Sequence, residues 1–179
     1  MSKDPLRSRS IVLVGLMGAG KSSVGKRLAG ALGLNFRDTD DEIEKAAGQT
    51  VSEIFSAYGE TYFRDGERRV IARLLDEPTI VLATGGGAFM NEQTRALIKA
   101  KAVSVWLKAD VEVLARRVSR KDTRPLLAGK DPREVLQKLA DERYPVYAEA
   151  DIVIESGDIP HNLTVETIIR RLWARAAHS

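Results

Sequence analysis

The stretch Gly15-Leu16-Met17-Gly18-Ala19-Gly20-Lys21-Ser22 narrows what this chain can fold into more than any other. It follows an apolar run rich in β-branched residues, Ile11-Val12-Leu13-Val14, and leads into Ser23-Val24-Gly25-Lys26-Arg27-Leu28-Ala29, whose spacing is helical. Strand, glycine turn and helix in that order, with the spacing G-x4-G-K-S, form the context of a phosphate-binding P-loop. The glycines let the backbone curl so that several N–H groups face one anion, where side chains would collide. The helix start adds free N–H groups and the positive end of its dipole. Gly18, Ala19, Gly20, Lys21, Ser22 and Ser23 are therefore expected to hold a nucleoside triphosphate. Lys21 would reach the outer phosphates and the Ser22 hydroxyl would ligate Mg²⁺.

A length of 179 residues suits a single domain with a real core. No apolar run approaches the ~18–20 residues of a membrane span, and no membrane partner is expected. The chain has no cysteine, which excludes disulfides and suits a cytoplasmic location. Met1 to Ser10 is polar and lacks the apolar core of a secretory signal, so it reads as a flexible tail. The net charge of +3 is gathered in separate arginine groups rather than one stripe, which argues against a nucleic-acid partner. His161 and His178 fall late and outside the motifs, so neither offers a convincing general base.

Further along, strands are expected at Asn35–Asp38, Thr79–Ala83, Ala102–Leu107 and Asp151–Ile154, in addition to Ile11–Val14. Helices are expected from Asp38 onward, around Val51–Ala57 and Glu60–Leu75 with Gly59 between them, and over Glu92–Lys99, Val111–Val118, Pro132–Ala148 and Leu163–Ala176. Alternating strands and helices imply a parallel sheet covered on both faces, with ligands at the carboxyl ends of its strands.

Four features lie at or near those ends. No acid closes the third strand, but Asp38 closes the second, so Asp38 is expected to help hold Mg²⁺ opposite Ser22. Asp40 is placed to accept a proton from an attacking hydroxyl; read otherwise, both acids are helix caps. Gly85-Gly86-Gly87 would let a substrate lie against bare backbone, or would be only a turn. Arg64 stands one helical turn before Glu67, which suits either a fixed carboxylate-binding fork or a surface ion pair. The polar segment Ser119–Lys130 reads as a lid over the phosphates or as a solvated loop.

Several motifs occur together and in order: the glycine-rich stretch, Phe36-Arg37-Asp38-Thr39-Asp40, Phe63-Arg64-Asp65-Gly66-Glu67, Thr84-Gly85-Gly86-Gly87-Ala88, Thr123-Arg124-Pro125-Leu126-Leu127 and Glu142-Arg143-Tyr144-Pro145-Val146-Tyr147. In this the chain resembles the shikimate kinase family from about Ile11 to Pro160. The resemblance implies a three-layer α/β P-loop sandwich with a five-stranded parallel sheet in the order 2-3-1-4-5. It further implies a single kinase domain over 11–179, with a substrate region at about 38–75 and a lid at about 119–130.

The implied reaction moves the γ-phosphoryl group of ATP to the 3-hydroxyl of shikimate in a monomeric, Mg²⁺-dependent enzyme. Asp40, Lys21 and Arg124 would be catalytic, and Arg64, Arg143, Gly85, Gly86 and Gly87 would bind shikimate. Arg117 would lie along the adenine, Arg124 would close on the ATP phosphates, and Ser22 and Asp38 would handle Mg²⁺. Another small hydroxy acid, such as gluconate, is the rival substrate on this scaffold. In one departure, Glu155-Ser156-Gly157-Asp158-Ile159-Pro160 lacks the arginine that many relatives carry near the adenine.

Overall fold

The structure is a computed structural model and describes residues 4–119 and 129–179. Its centre is a five-stranded, wholly parallel sheet in the order β2-β3-β1-β4-β5. The strands are β1 (Ser10–Val14), β2 (Asn35–Asp38), β3 (Ile80–Ala83), β4 (Ala102–Lys108) and β5 (Ile152–Glu155). Every residue of β1 and β3 is buried, so these strands are covered on both faces. That explains why they read as unbroken apolar runs rather than as alternation.

The helices are α1 (Lys21–Leu32), α2 (Thr39–Ala47), α3 (Val51–Leu75), α4 (Glu92–Lys101), α5 (Val111–Ser119), α6 (Pro132–Tyr147) and α7 (His161–Ala176). α1 packs on α7 and on β1–β3, α4 lies on β4 and touches α3, and α5 packs on α6. Most starts are fixed locally. Asp38, Thr50, Asn91 and Asp131 each accept a backbone N–H from the first turn of the helix that follows. Gly33 ends α1 in the left-handed region, where its N–H meets the Ala29 and Gly30 carbonyls.

The expected division at Gly59 is present: α3 is two helical pieces joined across Gly59, whose φ of 84° and ψ of 176° are not helical. Between β2 and β3 the chain builds a small core of its own. Ile43, Ile54 and Phe63 pack there with Val51, Phe55 and Val70. The later part of α3 joins the main core around the sheet through Ile71, Leu74 and Leu75, and Val70 packs against both clusters, so the helix that carries Arg64 is seated on the two together.

The expectation of a flexible tail over residues 1–10 needs correcting from Asp4 onward. Pro5–Arg7 form a 3-10 turn capped by Asp4 and packed against α7, with the Leu6 side chain only 6% exposed. Arg9 donates to the Lys99 and Ala100 carbonyls at 3.0 and 2.7 Å, and Ser10 already belongs to β1. One leucine in a polar stretch leaves no periodic signal, yet its burial suffices to dock the segment.

Candidate active site

Three strand ends meet in a cavity of about 650 Å³ at the carboxyl edge of the sheet. β1 delivers the glycine loop, β2 delivers Asp38 and Asp40, and β3 delivers Thr84 and the three glycines. β2 and β3 are in register with Asp38 opposite Ala83, and the Thr39 hydroxyl donates to the Ala83 carbonyl at 3.1 Å. The acids and the glycines are thereby held side by side.

In the loop, Gly18 and Gly20 take φ of 83° and 89°, values that side chains rarely adopt. The cavity is lined here by Gly18, Gly20, Lys21, Ser22 and Ser23. Lys21 Nζ donates to the Gly15 and Leu16 carbonyls at 2.7 and 2.9 Å, which holds the ammonium at the rim of the cradle. Ala19 is the exception among the expected phosphate-binding residues. It is buried outside the cavity lining, and its N–H is taken by the Leu16 carbonyl at 3.2 Å. Its place in the turn, rather than a free donor, is what it contributes.

The two oxygens of Asp38 have different partners. One oxygen, Oδ1, caps α2 by accepting from Asp40 and Asp41 N–H at 3.0 and 3.3 Å. The other, Oδ2, accepts from the Ser22 hydroxyl at 2.7 Å. A hydroxyl and a carboxylate facing each other beside a phosphate cradle are hard oxygen donors, which fits Mg²⁺. That ion takes one or two protein oxygens and completes its shell with phosphates and water. Among the described residues no set of three or more His, Asp or Glu could cage a metal.

The three glycines form a floor on which each position faces a different functional group. A Cβ at Gly85 would lie 3.1 Å from Asp40 Oδ1 and 3.2 Å from Glu67 Oε2. At Gly86 it would lie 3.0 Å from Arg143 Nη1, and at Gly87 only 2.1 Å from Arg64 Nη2. Asp40, Arg143 and Arg64, widely separated in sequence, therefore converge on three consecutive backbone positions.

Neighbouring groups fix both arginines. Arg64 Nη1 donates to Glu67 Oε1 at 2.8 Å, and the guanidinium lies 5.2 Å from the Phe63 ring centre. Glu67 is only 2% exposed, so this pair is not the solvated surface bridge that spacing also allowed. Burial, with Asp40 nearby, pushes the Glu67 carboxyl up to about 7 against the pull of Arg64 and Arg143. Its Oε2 is buried with no hydrogen-bond partner among the described residues. Desolvation, seconded by the Asp38 charge, raises the Asp40 carboxyl above its ordinary value, the direction that makes it a better proton acceptor. Arg143 on α6 is buried, and one turn later the Tyr147 hydroxyl donates to the Gly86 carbonyl. Trp106 packs against Tyr144 and Tyr147 with ring centres 5.0 and 5.6 Å apart, so it braces the helix that carries Arg143.

At the opposite end of the cavity, Arg117 on α5 donates to the Gly18 carbonyl at 3.0 Å and to the Gly157 carbonyl. It thus ties the glycine loop to the β5–α7 connection. Arg124 lies outside the described residues, as does most of the segment 119–130.

Sequence reasoning left two contributors aside. Tyr147 closes the motif that carries Arg143 but was given no role of its own. His161, set apart for its late position, in fact lines the cavity beside Gly20. α7 brings it there by packing on α1, a long-range contact with no local signal.

The model of a family described as "SKI: Shikimate kinase" matches residues 17–173. A shikimate kinase of Caulobacter vibrioides is 69% identical over 175 residues, covering 98% of this chain and 86% of that protein. One of Bradyrhizobium diazoefficiens is 59% identical over 169 residues, covering 94% and 82%. A solved shikimate kinase of Acinetobacter baumannii, in complex with shikimate, superposes with a TM-score of 0.91 at 37% identity, covering 95% of this chain and 96% of that one.

Proposed function

The chain belongs to the shikimate kinase family, and from that premise we propose which of its residues carry the reaction. It transfers the γ-phosphoryl group of ATP to the 3-hydroxyl of shikimate, a step of chorismate and aromatic amino-acid biosynthesis. ATP is its co-substrate, with Mg²⁺ as the family's metal.

Arg64 and Arg143 grip the shikimate carboxylate, and the ring lies on Gly85, Gly86 and Gly87. Asp40 accepts a hydrogen bond from the 3-hydroxyl and takes its proton as that oxygen bonds to the γ-phosphorus. The bond from phosphorus to the β,γ-bridging oxygen breaks, and that oxygen leaves on ADP. Gly18, Gly20, Ser22 and Ser23 cradle the phosphates, while Lys21 leaves the Gly15 and Leu16 carbonyls to meet the outer ones. Arg124, from the lid segment 119–130, neutralises charge on the transferred group, and Arg117 lies along the adenine. Ser22 and Asp38 hold Mg²⁺, which when bound with ATP offsets the phosphate charge. Because little bond-making falls to the protein, positioning and charge carry the rate.

The whole runs in one kinase domain, residues 11–179 with a substrate region at about 38–75, acting as a cytoplasmic monomer. Among the described residues no helix is long and apolar enough to cross a membrane.

The observation that carries this assignment is the convergence of Asp40, Arg143 and Arg64 on Gly85–Gly87 beside the phosphate cradle. The test measures ADP release with and without shikimate for the natural chain and for Asp40→Asn. Turnover should fall by about 10²–10⁴-fold, the usual worth of a positioned proton acceptor, while ATP binding persists. Near-normal turnover would remove Asp40 from the mechanism.

A further inference from the structure

The nucleotide end of the cavity holds one group with no assigned task. His161 opens α7 and is half-buried between the glycine loop and α1. Its Nε2 lies 3.2 Å from where a Cβ on Gly20 would sit, so the ring edge rests against the bare backbone of the cradle. Its Nδ1 lies 3.4 Å from Arg27 Nη1, and the same Nη1 donates to the Ser23 carbonyl at 3.2 Å.

Those contacts fix the tautomer. A guanidinium can only donate, so the ring nitrogen that faces it must present a lone pair. The neutral ring therefore carries its proton on Nε2. Burial, and then the charges of Arg27 and Arg117, hold the imidazole pKa below its ordinary value, which keeps the ring neutral near pH 7. Among the described residues no acceptor is paired with Nε2. The result is an oriented N–H donor at the edge of a site built for anions.

Resting on the kinase reading above, we propose that His161 is a nucleotide-binding residue whose Nε2–H donates to a non-bridging oxygen of the ATP α-phosphate. A triphosphate whose outer phosphates meet Lys21 runs its α-phosphate past the first turn of α1, at Ser23. Gly20 and Ser23 flank that position, and His161 touches the first and is tied through Arg27 to the second. A phosphate oxygen accepts and cannot donate, the complement of this donor. Arg27 acts only through the ring and is a positioning residue.

The test is calorimetric binding of Mg·ADP to the full chain, which needs neither shikimate nor turnover. His161→Phe keeps a ring and removes the donor, and Mg·ADP affinity should fall about tenfold with the shikimate dissociation constant unchanged. His161→Gln returns an N–H near the Nε2 position and should restore most of that loss, which a packing role would not. The natural chain should also discriminate the two diastereomers of the α-thio analogue of ADP, and His161→Phe should lose that preference. Unchanged ADP affinity in His161→Phe, failure of His161→Gln to rescue, or undiminished discrimination between diastereomers would each overturn the assignment. Should His161→Phe not fold, the natural chain decides. On adding Mg·ADP its His161 Nε2–H resonance should shift downfield, and a resonance that stays put refutes the contact. If the natural chain fails to phosphorylate shikimate yet shows this histidine-dependent ADP binding, the kinase reading falls and the His161 contact stands.

Discussion

Replacing Gly87 by alanine should disable the carboxylate clamp without unfolding the protein. A Cβ there would lie 2.1 Å from Arg64 Nη2, 2.5 Å from Cζ and 2.8 Å from Nη1. Non-bonded carbon contacts are comfortable only near 3.5 Å, so the guanidinium must withdraw by more than about 1 Å. It is the far end of a flexible side chain, so the fold can yield, but the withdrawal disturbs the 2.8 Å bond to Glu67. A misplacement of about 1 Å in a substrate-positioning group costs about 10²-fold. We therefore expect kcat/KM for shikimate to fall about a hundredfold, with Mg·ADP affinity within about twofold and the melting temperature within a few degrees. Gly86→Ala approaches Arg143 Nη1 at 3.0 Å and needs only a few tenths of an ångström of relief, so its loss should be smaller. Steady-state kinetics in shikimate, with calorimetry for ADP, decide the matter. A normal shikimate KM for Gly87→Ala, or the opposite rank of the two variants, would refute the account of the glycine floor.

Glu67 should leave a mark on stability against pH. Its folded pKa of about 7 stands above the ordinary 4.5, so between those values the folded state holds a proton that the unfolded state has lost. Unfolding free energy from this group should fall as pH rises through that window, by something on the order of 3 kcal/mol, and be flat above it. Glu67→Gln should remove that slope in urea titrations run at several pH values; an unchanged slope would clear Glu67. Arg64→Lys keeps the charge but loses the planar fork, so KM for shikimate should rise about tenfold or more while KM for ATP holds, and initial-rate kinetics would show it. Asp38→Asn should raise the Mg²⁺ concentration needed for half-maximal rate several-fold, since one hard donor is lost beside Ser22; an unaltered Mg²⁺ titration would count against the metal assignment. Gly59→Ala meets no atom within 4 Å, so its whole cost is conformational, about 1–3 kcal/mol for φ of 84° with ψ of 176°. Hydrogen exchange should report that loss chiefly in α2 and α3.

Much of the architecture was legible because its causes are local. The buried runs at Ile11–Val14 and Ile80–Ala83, the glycine stops and the capping residues each act within a few positions of themselves, and the five strands and their helices follow within a residue or two. The glycine loop announced its chemistry for the same reason, since the turn, the free N–H groups and Lys21 come from one continuous segment. Leu6 was missed because a single apolar residue has no period, and its burial depends on α7.

The sequence by itself determined a parallel α/β sheet and a phosphate cradle at a strand end, both written in short-range pattern. Several choices were left to the tertiary structure: that Arg64 and Glu67 form a buried pair rather than a surface one, that Asp38 both caps a helix and meets Ser22, and that His161 reaches the cradle across the α1–α7 contact. Spacing along a helix says which side chains are neighbours, but whether they face water is decided by what packs over them. Burial is what turns Glu67 from a weak surface partner into a fixed support for the Arg64 guanidinium.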